Sequence, residues 1–362
     1  MVLIYYLSMF IIVTICSAIY FWRWHKNCDI SFTLIYVLMP LATIGYVMVA
    51  VSPDVGAAMS GTKFVYLGGV YMELVITISI FSLGKIKLPR WAIFIALLAS
   101  SFIYAGALST GFDQVFYKKV TIIKQYGISV LDKEYGPVHA FFYPLVILYV
   151  VIGLGALIYA FKKKPDASRT NLSLMVVTQV VTVFAFFVGR MITEAVEWVP
   201  VAYAVDAIVY LIIMDRTTLY SMDDTILETL LNSGDVGYVS FDFRQNFLGA
   251  TDKAKFYLPA LQHTFADKPI ADEEIRNMVD KWILDFLSDE VSREQYYENN
   301  GRIYKIGVKY LYDGKRVRGF QMRIEDDTDH QQYLHTLESY NKNLKEELTL
   351  KTKLLEECRN KA

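Results

Sequence analysis

The chain has 362 residues, 54% of them hydrophobic and 20% charged, which is too apolar for a soluble protein of this length. Its net charge of −1 conceals two unlike halves: residues 1–220 carry 16 Lys and Arg against 11 Asp and Glu, and the remainder 20 against 26. There is no basic patch with interleaved aromatics, which argues against a nucleic-acid partner, and the three cysteines form no CxxC or Cys/His cluster, which argues against a zinc site or a disulfide framework.

Crossing the hydrocarbon core of a bilayer takes about 20 apolar residues. Seven segments qualify: residues 2–21, 31–51, 64–83, 91–108, 138–161, 171–188 and 199–214. The first is no signal peptide, since it has no basic leader and Arg23 and Lys26 follow it directly. With the N-terminus outside, the inner loops carry Arg23, Lys26, Lys85, Lys87, Arg90, Lys162, Lys163, Lys164, Arg169 and Arg216. The outer side holds Lys63, Lys118, Lys119, Lys124, Lys133 and Arg190. The excess of inner positive charge predicts N-out, C-in, in a cell membrane. The long outer loop, residues 109–137, has two β-prone stretches meeting at Tyr126-Gly127; a hairpin or an irregular loop satisfies that pattern.

Ionisable groups at membrane depth are costly and point to function. Glu73 falls about nine residues into the third segment, roughly 14 Å deep at 1.5 Å per residue, and Asp206 falls within the seventh. Arg190, Glu194 and Glu197 gather at the outer end of the sixth. Glu73, Arg190, Glu194 and Asp206 are therefore the candidate ligand-binding residues, for a small or lipid-soluble molecule in the outer half of the bundle. The alternative for Arg190 and Glu194, spaced i,i+4, is that they pair with each other at the lipid–water boundary. Tyr46, Tyr66, Tyr71, Tyr203 and Tyr210 are ligand contacts, interfacial anchors or packing.

Beyond Arg216 the pattern becomes that of soluble sequence. A short helix over 226–231 leads to a strand in which Val236, Tyr238 and Ser240 alternate with Gly237, Val239 and Phe241. A turn at Arg244-Gln245-Asn246 returns the chain through 247–249, a helix runs to about Leu261, and residues 273–287 have helical spacing. Three strands follow: 294–298, then one carrying Tyr304, Ile306, Val308 and Tyr310, then one carrying Phe320, Met322 and Ile324. Hairpin turns at Asn299-Asn300-Gly301 and Asp313-Gly314 separate them. That order gives an α+β domain, an antiparallel sheet with helices on one face.

The order, closed by Glu325-Asp326-Asp327-Thr328, resembles a PAS domain. Ala250-Thr251 stand where that family usually has Asn, a flavin-type cysteine is lacking, and His263 beside a loop does not suit haem; a small metabolite or no ligand is expected, with no cofactor and no metal. The membrane half resembles the seven-helix N-terminal region of bacterial histidine kinases and related sensors. That resemblance rests on Tyr135-Gly136-Pro137-Val138 entering the fifth helix, the basic turn after it, and a seventh helix running through Asp215-Arg216 toward the sheet.

Residues 329–360 have no Gly or Pro. Leu334, Asn341, Leu348 and Leu355 fall at heptad a, and Leu337, Leu344 and Lys351 at d, the pattern of a parallel two-stranded coiled coil in which Asn341 sets register. The other reading is a lone amphipathic helix on the PAS-like domain. His330 and His335 lie on this helix outside any His-Glu-Leu-Arg-like box, and no Gly-rich ATP loop, GGDEF, HD-GYP or Walker pattern occurs. The expectation is a non-enzymatic chain with no catalytic residues: a seven-transmembrane α-helical bundle (1–216), a cytosolic PAS-like domain (222–328) and a signalling coiled coil (329–362). It is read as a homodimeric sensor relaying a signal to a kinase, cyclase or phosphodiesterase, on a separate protein or on a part of the chain lost from this sequence. The alternative is a transporter or channel with a regulatory domain, which inverted repeats and broken helices would mark.

Overall fold

A computed structural model describes residues 1–23, 29–112, 114–192, 196–231, 236–289, 295–313 and 316–359. Met1–Ser221 with Phe265–Asp267 form one compact unit, and Met222–Thr264 with Lys268–Ala362 the other.

The first unit is built from helices α1 (Val2–Arg23), α2 (Ile30–Val51), α3 (Val55–Leu83), α4 (Arg90–Leu108), α5 (Phe142–Lys163), α6 (Arg169–Val183), α7 (Gly189–Ile192) and the start of α8 (Val199–Leu231). Six helical stretches among the described residues are long and apolar enough to cross a membrane. The distribution of polarity is inside-out for a protein in water. Ile4, Ile11, Phe94, Leu98, Phe102, Val151 and Ile158 face outward, whereas Thr62, Thr77, Ser79, Ser100, Thr178 and Gln179 are buried. Water would penalise that arrangement and hydrocarbon rewards it.

α3 begins at Val55, earlier than the predicted 64, and spans 29 residues. Its first turns are small and polar, so a hydropathy criterion misses them, yet they pack tightly. A Cβ on Gly61 would sit 2.9 Å from the carbonyl oxygen of Gly45, and one on Gly45 would sit 2.7 Å from the Val65 nitrogen. Only backbone fits between α2 and α3 there, the small-residue contact that membrane helices use. Asp54 caps α3 by accepting from Ala57 N at 2.8 Å, and Asp29 caps α2 by accepting from Ser31 N at 2.9 Å. Thr43 Oγ1 bonds back to Met39 O at 2.9 Å, beside Pro40 inside α2. α6 continues through a π-helical turn, Phe184–Val188, into α7.

Residues 117–135 are a hairpin, β1 (Tyr117–Gln125) and β2 (Ile128–Tyr135), paired antiparallel with Ile123 opposite Val130. Both turn residues, Tyr126 and Gly127, have positive φ, 50° and 77°, as a two-residue hairpin turn requires. Ser129 Oγ donates to Ser52 O at 2.6 Å, tying the hairpin to the end of α2. At Tyr135-Gly136-Pro137-Val138 a Cβ on Gly136 would lie 2.4 Å from Val115 O, which explains the glycine.

The helices alternate in direction. At the hairpin end, Tyr5 Oη donates to Glu197 O at 2.9 Å and Glu197 N donates to Tyr6 Oη at 3.0 Å, joining the starts of α1 and α8. At the other end Arg23 pairs with Asp215 at 3.7 Å. α8 is one helix of 33 residues, which corrects the separate short helix expected over 226–231: no Gly or Pro interrupts the run from Val201 to Leu231, so nothing ends it.

The second unit holds β3 (Val236–Asp242), β4 (Phe247–Ala250), α9 (Asp252–Tyr257), α10 (Glu273–Asp289), β5 (Gln295–Asn299), β6 (Arg302–Asp313), β7 (Arg316–Asp326) and α11 (Thr328–Arg359). The five strands form an antiparallel sheet in the order β4-β3-β7-β6-β5. Register places Val239, Met322 and Val308 in one cross-strand row and Phe241, Phe320 and Tyr310 in the next. That face buries Ile275, Val279, Trp282, Ile283 and Phe286 of α10, the helical spacing read from the sequence. The Asn300-Gly301 turn has φ of 51° and 73°; the Asp313-Gly314 turn lies outside the described residues. Where Asn was expected, Thr251 does the joining. Its Oγ1 accepts from Ala254 N and Tyr238 N, each at 3.1 Å, so one hydroxyl caps α9 and holds it to β3.

The β7–α11 junction is fixed by side chains. Thr328 Oγ1 donates to Asp326 Oδ1 at 2.5 Å and accepts from Ile303 N at 3.0 Å, while Arg302 pairs with Asp326 at 3.2 Å. The Thr328 hydroxyl is the chief cause holding the Asp326 carboxyl below the usual aspartate range. Leu334, Leu337, Leu344 and Leu348 of α11 are exposed along one side, and Asn341 is exposed with them. The side chain of Leu355 lies outside the described residues.

Candidate ligand-binding site

A cavity of about 130 Å³ opens at the hairpin end of the bundle. Tyr6 of α1, Tyr46 and Ala50 of α2, and Thr62, Tyr66 and Gly69 of α3 form one side. Ile128, Leu131, Lys133 and Tyr135 of β2 cover it, and Phe142, Phe186, Glu197 and Val199 complete the wall. It is an aromatic chamber with one cationic and one anionic side chain on its lining, the mix that orients a small amphipathic ligand.

The wall is braced from behind. Tyr117 Oη donates to Tyr66 Oη at 2.8 Å, and Tyr66 Oη bonds His139 Nε2 at 2.9 Å. His139 stacks on Tyr135 with ring centroids 3.9 Å apart. Burial raises the Tyr117 phenol above its ordinary value, opposed by the nearby Lys133 ammonium, which also lies 5.8 Å from the Tyr117 ring. Hairpin, α3 and the start of α5 are thus tied into one rigid aromatic network.

The four predicted site residues do not come together at this cavity, and none lines it. Glu73 and Asp206 share a separate cluster about one helical turn below its floor, since Glu73 follows Gly69 by four residues and Asp206 follows Val199 by seven. Both are buried, 2% and 0% exposed. Gln179 Nε2 donates to Glu73 Oε1 at 2.9 Å, and Thr182 Oγ1 lies 3.5 Å from Asp206 Oδ2. The side chain of Arg190 and the whole of Glu194 lie outside the described residues. Of the tyrosines singled out from sequence, Tyr46 and Tyr66 line the cavity, whereas Tyr203 and Tyr210 are buried beside the lower cluster. Sequence reasoning missed Lys133, an ordinary loop lysine by pattern, as well as His139 and Gln179; a polar residue such as Gln179 inside an apolar run was the one available signal.

Residues 6–222 match a family model described as the N-terminal 7TM region of histidine kinase. The chain belongs to that family. It is therefore a multi-pass membrane protein carrying a histidine-kinase sensor region, and the matched family is a sensor region and not a catalytic domain. Among solved structures, a sensor region of a sensor histidine kinase is similar at 17% identity, with a TM-score of 0.21 and 27% of this chain aligned; the chain covers 41% of that structure's length. A sensory box histidine kinase/response regulator from Burkholderia thailandensis E264 is similar at 12% identity and a TM-score of 0.25, with 33% of this chain and 97% of the other covered. A comparison with curated proteins finds no match.

Proposed function

We propose that this member of the histidine-kinase sensor family detects a small amphipathic ligand in the hairpin-end cavity, on the outer face of a cell membrane. The observation that carries the reading is the cavity itself: an aromatic chamber with Lys133 and Glu197 on its lining, at the end of the bundle remote from most of the basic loops. The same charge bias supports N-out, C-in topology, with α8 as a seventh span. The signal passes along α8 to a PAS-like domain, a reading supported by the five-stranded antiparallel sheet and the Asp326–Thr328 turn. From there it enters α11, whose exposed leucines pair with a second copy as a parallel coiled coil and deliver it to a kinase, cyclase or phosphodiesterase. The residues predicted from sequence stay in the proposal as a pair of regions, Arg190 and Glu194 near the mouth and Glu73 and Asp206 beneath the floor.

The test fuses a histidine kinase core after residue 362 and reads its phosphorylation in cells given spent growth medium. Ala50→Phe, which fills the cavity, is expected to abolish the response at parental expression. A variant that responds as the parent does refutes the cavity as the sensing site. Labelling of Lys163→Cys by a membrane-impermeant thiol reagent in intact cells refutes the orientation.

A further inference from the structure

Beneath the cavity, three helices bring oxygen atoms together in a place where charge is costly. α3 contributes Glu73, α6 contributes Gln179 and Thr182 from one face, three residues apart, and α8 contributes Tyr203 and Asp206, again three apart. Each is 3% exposed or less. Glu73 and Asp206 feel each other electrostatically, and Tyr203 feels both. The Tyr203 hydroxyl reaches across to α3, 3.2 Å from where a Cβ on Gly68 would be.

Two observations set this cluster apart from a structural hydrogen-bond network. First, two carboxylates share it, and neither has a Lys, Arg or His partner among the described residues. An uncompensated charge inside a membrane costs several kcal/mol, so something else balances them. Second, three buried oxygens have no hydrogen-bond partner: Gln179 Oε1, Tyr203 Oη and Asp206 Oδ1. Buried polar atoms are nearly always satisfied. The Gln179 amide has its N–H side fixed on Glu73, which turns its carbonyl oxygen out as a spare acceptor. Thr182 is too far from Asp206 for a strong bond, at 3.5 Å.

We propose that Glu73, Gln179, Thr182, Tyr203 and Asp206 form a binding site for a dehydrated hard cation, sodium or calcium, held by oxygen atoms alone. The donor set suits these ions: carboxylate, amide carbonyl and hydroxyl oxygens, with no nitrogen or sulfur ligand. A bound cation neutralises the carboxylates and gives Gln179 Oε1 and Asp206 Oδ1 their missing partner. It also crosslinks α3, α6 and α8 one turn under the cavity floor, about 6 Å at 1.5 Å per residue. The site is distinct from the cavity, so it stands whether or not the cavity binds a ligand.

The test uses the full chain in lipid nanodiscs and follows thermal unfolding while choline chloride is replaced, at constant ionic strength, by NaCl, KCl or CaCl2. One of the metal cations is expected to raise the unfolding temperature saturably, by about 5 °C at a hundred times its half-saturating concentration. The effective salt identifies the ion. Asp206→Asn and Gln179→Leu are expected to raise the half-saturating concentration about tenfold or more. Binding of radioactive sodium or calcium to the parent protein gives a readout that needs no variant to fold. No saturable rise over choline and no isotope binding in the parent overturns the proposal, as does an unchanged midpoint in both variants. Stability that rises with falling pH and ignores every metal cation also overturns it, because protons are then the neutralising partner.

Discussion

Thr328→Val tests how firmly α11 is joined to the sheet. Valine keeps the shape of threonine and removes one hydroxyl, which at this position makes two bonds: it donates to the Asp326 carboxylate at 2.5 Å and accepts from Ile303 N at 3.0 Å. Hydrogen bonds to charged groups contribute about 1.5–3 kcal/mol. The Asp326 side chain is 24% exposed, so water replaces part of the loss and the lower figure applies. Stranding the Ile303 amide adds about 0.5 kcal/mol. The sum, about 2 kcal/mol, corresponds to roughly thirtyfold in a local opening equilibrium. Hydrogen exchange of the full chain reads this directly: protection at Ile303 and Gln331 should fall by that factor, and Thr328→Ser should restore most of it. The effect has a pH sign. The Asp326 carboxyl is lowered in the fold, chiefly by the Thr328 hydroxyl. Its stabilisation is therefore complete above the ordinary aspartate value of about 3.9 and is lost as pH falls through the depressed folded value. The gap between parent and variant should be full at neutral pH and close in acid. Equal protection in both proteins, or a serine variant as damaged as valine, refutes the reasoning.

Gly61→Val drives a side chain into the backbone of α2, where even a Cβ lies 2.9 Å from Gly45 O; about 1–3 kcal/mol of destabilisation is expected, measured as a lower unfolding temperature in nanodiscs. Gly237→Val places a Cβ 2.7 Å from Ala254 N and Cα, and hydrogen exchange should show the loss confined to the sheet domain. Deleting residues 330–333 turns the rest of α11 by about 40° and shortens it by about 6 Å; with a kinase core fused, its basal phosphorylation should change while the sheet domain's exchange pattern does not. Leu337→Cys should form a disulfide-linked dimer in native membranes under mild oxidation, and a wholly monomeric product contradicts the parallel coiled coil.

What the sequence disclosed was whatever has a short period or a demanding backbone. Tyr304, Ile306, Val308 and Tyr310 alternate because one face meets α10 and the other does not. Tyr126-Gly127 and Asn300-Gly301 mark hairpins because few residue pairs tolerate two positive φ angles. Glu73 and Asp206 were visible because charge in an apolar run is conspicuous. Their surroundings were not: Gln179 and Thr182 are neutral, and they meet the carboxylates only because α6 packs beside α3 and α8. The cavity was hidden for a related reason. Lys133 and Glu197 are 64 positions apart, and each alone looks like an ordinary boundary residue. The first turns of α3 escaped because membrane helices in close contact are lined with small residues, which weakens the hydropathy that would reveal them.

The π-helical turn at Phe184–Val188, closed by Gly189 N on Phe184 O, lies between the two regions described above. Gln179 and Thr182 below it face the carboxylates, while Ala185 and Phe186 within it line the cavity. Such a turn behaves like a dislocation in a crystal: it holds one surplus residue, and it moves by exchanging hydrogen bonds without unwinding the helix. Each residue it passes is turned by about 100° relative to its former neighbours. A ligand that presses on Phe186 can therefore slide the defect, swinging side chains on the cavity wall while the ends of α6 stay in place. Removing one residue from this stretch would anneal the defect, leaving a straight helix with a single fixed setting.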